Sequence, residues 1–197
     1  MSHSGTTLMA KGRPLGKADV LYWECVMTGF LDDLKVTRSM QLERLREPVS
    51  RQARIDNMIE HMQAEHDNEF ERLAATISPD PCWNLHPIGA WQGWESVLRM
   101  YHANFPFAPE GPLEMIKGVH DPRVAMWGED HVLFHMAIYA DEYPLHRNLT
   151  ILIKFQGNLV QGETVFLTDE NLIAFMRNHV KELGTDKFEG FVPFPAA

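Results

Sequence analysis

The chain of 197 residues is 45% hydrophobic and carries 27 acidic against 18 basic side chains, a formal net charge of −9. That balance excludes a duplex nucleic-acid binder, which needs a cationic face for phosphates, and argues against an anionic membrane surface as partner. No apolar run approaches the roughly 20 residues that span a bilayer, and the length suits one domain with an accessory segment.

The N-terminus, MSHSGTTLMAKGRPLG, is polar and lacks the apolar stretch of a secretion signal. Cys25 and Cys82 are too few for a disulfide framework and form no CxxC pair. Two reduced thiols and a cytoplasmic location are expected. Residues 17–34 read as a helix, with Val20, Leu21, Trp23, Val26, Met27 and Phe30 on a broad apolar face. Helix-favouring residues continue to Glu47-Pro48, a boundary because the residue before proline is pushed out of the helical region. Residues 1–50 are therefore expected to be a helical extension, and 51–197 the main domain.

Residues 51–77 give the clearest helical pattern, with Ile55, Met58, Ile59, Met62, Phe70, Leu73, Ala74 and Ile77 at i, i+3, i+4, i+7 spacing. His66 falls on that face, and His66-Asp67-Asn68 marks a break into two helices. Ser78-Pro79-Asp80-Pro81 ends this region. CWNLH, residues 82–86, reads as a short strand, Pro87-Ile88-Gly89 as a turn, and residues 91–104 as a further helix.

The remainder is β-rich. Strands are expected over 113–119 and 123–127, separated at His120-Asp121-Pro122 because proline cannot donate to a ladder. Gly128-Glu129-Asp130 turns into a strand over 131–141. Residues 145–155 and 159–167 form a hairpin closed at Gln156-Gly157-Asn158, with Leu149, Ile151, Ile153 and Phe155 alternating in its first arm. A last helix spans 170–183, and the tail GTDKFEGFVPFPAA is expected to dock or fray. Helices gathered against a run of antiparallel strands are an α+β layout. The expected form is a curved antiparallel sheet wrapped around helices, a cone-shaped α+β barrel offering one apolar pocket.

The segments RIDNMIEHMQAEHDNEFERLAATIS, CWNLHPIG, GAWQGWESVLRMYHANFP and LTILIKFQGNLVQGETVFLT, in that order, resemble the SnoaL-like polyketide cyclase family of the nuclear-transport-factor-2-like (cystatin-like α+β) superfamily. The resemblance covers residues 51–183. It implies a dimeric protein and, in many relatives, an enzyme without cofactor, although the fold alone does not choose a reaction. It also implies a carboxylate on the final strand after the glycine turn, where this chain offers Glu163 with Thr164 beside it. Adjacent strand residues face opposite sides, so one of these two enters the pocket and the other does not. The ketosteroid isomerases of the superfamily place a general-base aspartate before a Pro-x-Gly turn; His86-Pro87-Ile88-Gly89 matches that position, with imidazole replacing carboxylate.

Among the ten histidines, His131 and His135 share a strand face with Leu133, Ala137, Tyr139 and Asp141. Strand residues four apart are about 13 Å apart, too far for one zinc ion with bonds near 2 Å, so no metal is expected. No GxSxG, P-loop or dinucleotide fingerprint is present, and no cofactor is expected. The catalytic candidates are His86 as base, Glu163 and His135 as acid or orienting group. Trp83, Tyr101, His120, Tyr139, Thr164 and Phe166 are expected to line the substrate pocket.

These residues point to a cofactor-independent acid–base enzyme, of isomerase, cyclase or dehydratase type, acting on a small hydrophobic carbonyl compound, polycyclic ones included. The alternative is a non-catalytic small-molecule-binding or dimeric assembly protein of the same fold. An epoxide hydrolase needs a carboxylate holding water, and Thr164 speaks against it.

Overall fold

The computed structural model describes residues 9–10, 13–14, 31, 33–67, 69–104, 119–140 and 143–195. The chain divides into two compact units, Met1–Leu34 and Lys35–Ala197. In the first, β1 (Met9–Ala10) pairs antiparallel with β2 (Arg13–Pro14). The helix expected over 17–34 and the strand expected from 113 lie outside the described residues.

The boundary expected at residue 50 falls instead between Leu34 and Lys35. Helix α1 (Arg38–Arg44) starts at Thr37, whose side chain accepts from the Met40 amide. Its buried Gln41 explains why it belongs to the second unit. One amide nitrogen of Gln41 donates toward the carbonyls of Ala74, Ala75 and Ile77 at 3.0, 2.9 and 2.7 Å. Ala75 and Ile77 lie at a helix end, where backbone acceptors lack an intrahelical partner, and the Ala74 carbonyl also accepts from the Ile77 amide.

Helix α2 (Arg51–Asp67) begins after Ser50, whose hydroxyl accepts from the Ala53 amide at 3.1 Å. Helix α3 (Phe70–Thr76) follows the expected break. The buried face of α2 carries Met58, His61 and Ala64, while Ile59 and Met62 of the expected stripe remain exposed.

Strand β3 (Cys82–His86) and β4 (Gly89–Gln92) form a hairpin. Trp91, expected in a helix, lies in β4 and is fully buried, its indole nitrogen donating to the Thr185 carbonyl at 2.9 Å. Helix α4 (Trp94–Asn104) then leads to an antiparallel meander of β5 (Val119–Trp127), β6 (His131–Ala140), β7 (Tyr143–Gln156) and β8 (Leu159–Phe166). Strand β5 runs through His120-Asp121-Pro122, and the expected break is reduced to a register shift between Pro122 and Val124. After α5 (Glu170–Leu183) and a 3₁₀ turn at Thr185–Lys187, the tail docks as β9 (Phe191–Pro193) on β4. Asp169 caps the start of α5, and Gly184, at φ 68°, ends it in the left-handed region.

The curved seven-stranded sheet runs β5-β6-β7-β8-β3-β4-β9, with β3 and β8 parallel. Two local features set the position of β8 against its neighbours. The tip of the β7–β8 hairpin is held by Asn158, which accepts from the Ser50 amide and donates to the Pro48 carbonyl. Near the β3 edge, β8 bulges: Lys154 faces Gly162 but Phe155 faces Val160. A Cβ on Gly162 would lie 1.8 Å from the Cys82 carbonyl oxygen, so only glycine lets the two strands close here.

Candidate active site

Strand register sorts the side chains into two faces. Glu163 lies opposite Ile153, and Val165 opposite Ile151 and Leu85; all but the half-buried Ile151 are buried, and they form the helix-side face. The other face carries Thr164 beside Asn84 and Leu152, and Phe166 beside His86 and Thr150. Of the adjacent pair, the structure therefore turns Glu163 inward and Thr164 outward.

Glu163 meets a residue from α2. Its Oε1 is 3.2 Å from Nε2 of His61, a side chain with no exposed surface. Its other oxygen accepts from the Trp83 indole nitrogen at 3.2 Å, so both carboxylate oxygens are used. One helical turn after His61, Glu65 brings an oxygen to 3.5 Å from the same Nε2. Tyr101 of α4 places its hydroxyl 3.3 Å from Nε2 and hydrogen-bonds Glu65, and its ring meets the imidazole edge-on. On the far side of the ring, Nδ1 lies 2.7 Å from the Thr76 hydroxyl. Two glutamates thus converge on one buried histidine between helices and sheet.

The electrostatics reflect burial and charge. Burial opposes the charged form of His61, but the hydrogen bonds and charges of Glu163 and Glu65 outweigh it and push its pKa up to about 10. These contacts favour the imidazolium form of His61. Glu65 is held above the usual carboxylate range, first by burial and then by the charge of Glu163. Burial and the same two carboxylates push the Tyr101 phenol well above its ordinary value. A carboxyl with a raised pKa beside a fixed cation is suited to holding and releasing a proton. Among the described residues, His61, Glu65 and Glu163 could also hold a metal, since one donor atom from each lies within 4.8 Å of the others.

The anticipated residues divide accordingly. Glu163, Trp83 and Tyr101 come together around His61. His86 does not join them: it lies exposed on the opposite sheet face, its ring between Phe166 and Phe194 at 5.9 and 5.7 Å. The expected pairing of a His86 base with Glu163 is corrected by strand alternation, which separates them by the thickness of the sheet. His135 is on that outer face too, 3.2 Å from the Thr150 hydroxyl. Thr164 accepts from Asn84 there at 3.1 Å, and Phe166 faces His86. The side chains of His120 and Tyr139 lie outside the described residues. Neither His61 nor Glu65 stands out in the sequence. The available signal is their i, i+4 spacing on one helical face with Met58 and Ala64.

No family model and no curated protein matches this sequence. Similar solved structures include a de novo designed protein with a curved β-sheet, 12% identical, covering 67% of this chain and 98% of its own, with a TM-score of 0.50. An NTF2-like protein of unknown function from Cytophaga hutchinsonii is 12% identical over 65% of this chain and 98% of its own, at 0.46. A proposed ketosteroid isomerase from Kribbella flavida is 12% identical over 61% and 82%, also at 0.46.

Proposed function

Starting from the nuclear-transport-factor-2-like α+β fold of this chain, we propose that it is an acid–base enzyme for a small hydrophobic carbonyl compound, with its catalytic centre at Glu65, His61 and Glu163. The observation that carries this reading is the convergence of two glutamates on one buried histidine. Glu65 is the member a ligand can reach: its side chain keeps 22% of its surface, against 0% for His61 and 9% for Glu163. In this reading Glu65 takes the proton next to the carbonyl and returns it at another carbon. His61, kept charged by Glu163, offsets the negative charge that grows on the enolate. The half-buried Trp83 ring offers a flat apolar wall. The net reaction moves one proton within the substrate and consumes no cofactor.

A panel of polycyclic ketones in D₂O, followed by NMR for deuterium at the carbon next to the carbonyl, tests the reaction without knowing the natural substrate. Thermal shifts with matching phenols test the pocket, because phenolates mimic enolates and ligands of the native state raise its melting temperature. Wild type and His86→Ala should behave alike, and Glu65→Gln should lose exchange. Exchange lost in His86→Ala and kept in Glu65→Gln would move the site to the outer face. Binding without exchange would favour the non-catalytic binding protein.

A further inference from the structure

We propose that Thr76 is a positioning residue that fixes the tautomer of His61, so that Nε2 is the nitrogen that turns its hydrogen toward Glu163 and Glu65. The consequence for proton transfer rests on the acid–base reading of the cluster; the tautomer itself does not.

The end of α3 supplies the constraint. In a continuing helix the Ile77 amide would reach the Leu73 carbonyl, but here it donates to Ala74 at 3.2 Å. Neighbouring carbonyls are met by other donors: Ala74, Ala75 and Ile77 by Gln41, and Thr76 by the Asn57 side chain at 2.9 Å. Leu73 is met by the Thr76 hydroxyl at 2.6 Å. A threonine hydroxyl has one hydrogen. Once that hydrogen points to Leu73, the oxygen presents only lone pairs to His61 Nδ1, 2.7 Å away. Two facing acceptors at that distance would repel inside a buried site, so Nδ1 carries the hydrogen and donates it. It holds for the imidazolium, and for the neutral ring when the Tyr101 hydroxyl, 3.3 Å from Nε2, turns its hydrogen to that nitrogen.

The role of the other nitrogen is then decided. Nε2 looks toward Glu163 of β8, Glu65 of its own helix and the Tyr101 hydroxyl of α4. The proton that balances those carboxylates sits at Nε2, and the Nδ1 proton is withheld from exchange. An unfilled carbonyl at a helix end thereby sets the direction in which a histidine of the neighbouring helix works.

The test is heteronuclear NMR on full-length protein labelled with ¹⁵N-histidine, reading His61 through its alkaline titration. Free neutral imidazole favours the hydrogen on Nε2, so a neutral His61 carrying it on Nδ1 is a signature that generic packing would not produce. Wild type and Thr76→Ser should both show the Nδ1–H form, and Thr76→Val should move toward Nε2–H. In the same proteins, ketone proton exchange should fall at least roughly tenfold in Thr76→Val and be retained in Thr76→Ser. A wild type with Nε2–H at its alkaline limit overturns the proposal, whatever the valine variant does. So does a Thr76→Val protein with the wild-type tautomer. The Nδ1–H form in a wild type that exchanges no ketone proton would support the tautomer assignment and refute the acid–base reading.

Discussion

The charge state of His61 makes a stability prediction that does not depend on finding a substrate. Its pKa is about 10 in the folded protein against an ordinary value of 6.5. A raised pKa means that the folded state holds the proton more tightly than the unfolded state. The resulting stability is fully present below 6.5 and is lost as the pH rises through about 10. At about 1.4 kcal/mol per pH unit, that interval amounts to roughly 5 kcal/mol. Glu163→Gln keeps the shape and an acceptor for Trp83 but removes the larger of the two hydrogen-bonding carboxylates from His61. Removing one member of a buried pair costs about 3–5 kcal/mol, and Glu65 remains as a partial counter-ion. The alkaline loss should therefore shrink to about half in Glu163→Gln. In Glu65→Gln/Glu163→Gln only burial is left, so the loss should vanish on the alkaline side and reappear on the acid side. Urea unfolding at intervals across this pH range gives the comparison, and subtracting variant from wild type cancels lysine and tyrosine titrations common to both. Equal alkaline losses in wild type and the double variant would refute the assignment of a charged His61.

Three other sites give independent predictions. His179 is 3% exposed, stacks on Phe175, and has no hydrogen-bond partner at Nε2 among the described residues. Burial lowers its pKa to about 4, so stability present above 6.5 should fall by up to about 3 kcal/mol as the pH drops toward 4; His179→Phe should remove that acid-side loss, and equal losses in both proteins would refute it. Gln41→Ala should cost about 2–4 kcal/mol in urea unfolding by leaving helix-end carbonyls without their donor. Gln41→Glu should be worse than alanine because it sets an acceptor against acceptors, and the reverse order would show that packing, not hydrogen bonding, holds α1. Gly162→Ala should cost more than about 2 kcal/mol because its Cβ would strike the Cys82 backbone; a melting temperature equal to wild type would show that β3 and β8 do not close as described.

Much of the architecture is legible in local pattern. The break after His66, the strand at residues 82–86, the hairpin turning after Gln156 and the helix at 170–183 all come from periodicity and turn residues, which act over a few positions. Where the pattern misleads, a longer-range contact explains it. Trp91 has a helical neighbourhood in sequence, yet it pairs in β4 because β3 and β9 supply ladders on both sides of it. Residues 38–44 read in sequence as part of the N-terminal extension, yet Gln41 ties them to a helix end more than 30 residues away.

The candidate site marks the limit most clearly. Alternation alone determined that Glu163 and Thr164 face opposite ways, because successive strand residues always do. Which of them faces the helices depends on the bulge at Gly162 and on the pairing of β8 with both β7 and β3. The same holds for His61. The sequence placed it on a helix, but its apolar stripe pointed to Ile59 and Met62, which the fold leaves exposed. Helix periodicity names a face without naming its partner. The buried side of α2 was decided by β8, which arrives about 100 residues later carrying the carboxylate that His61 needs.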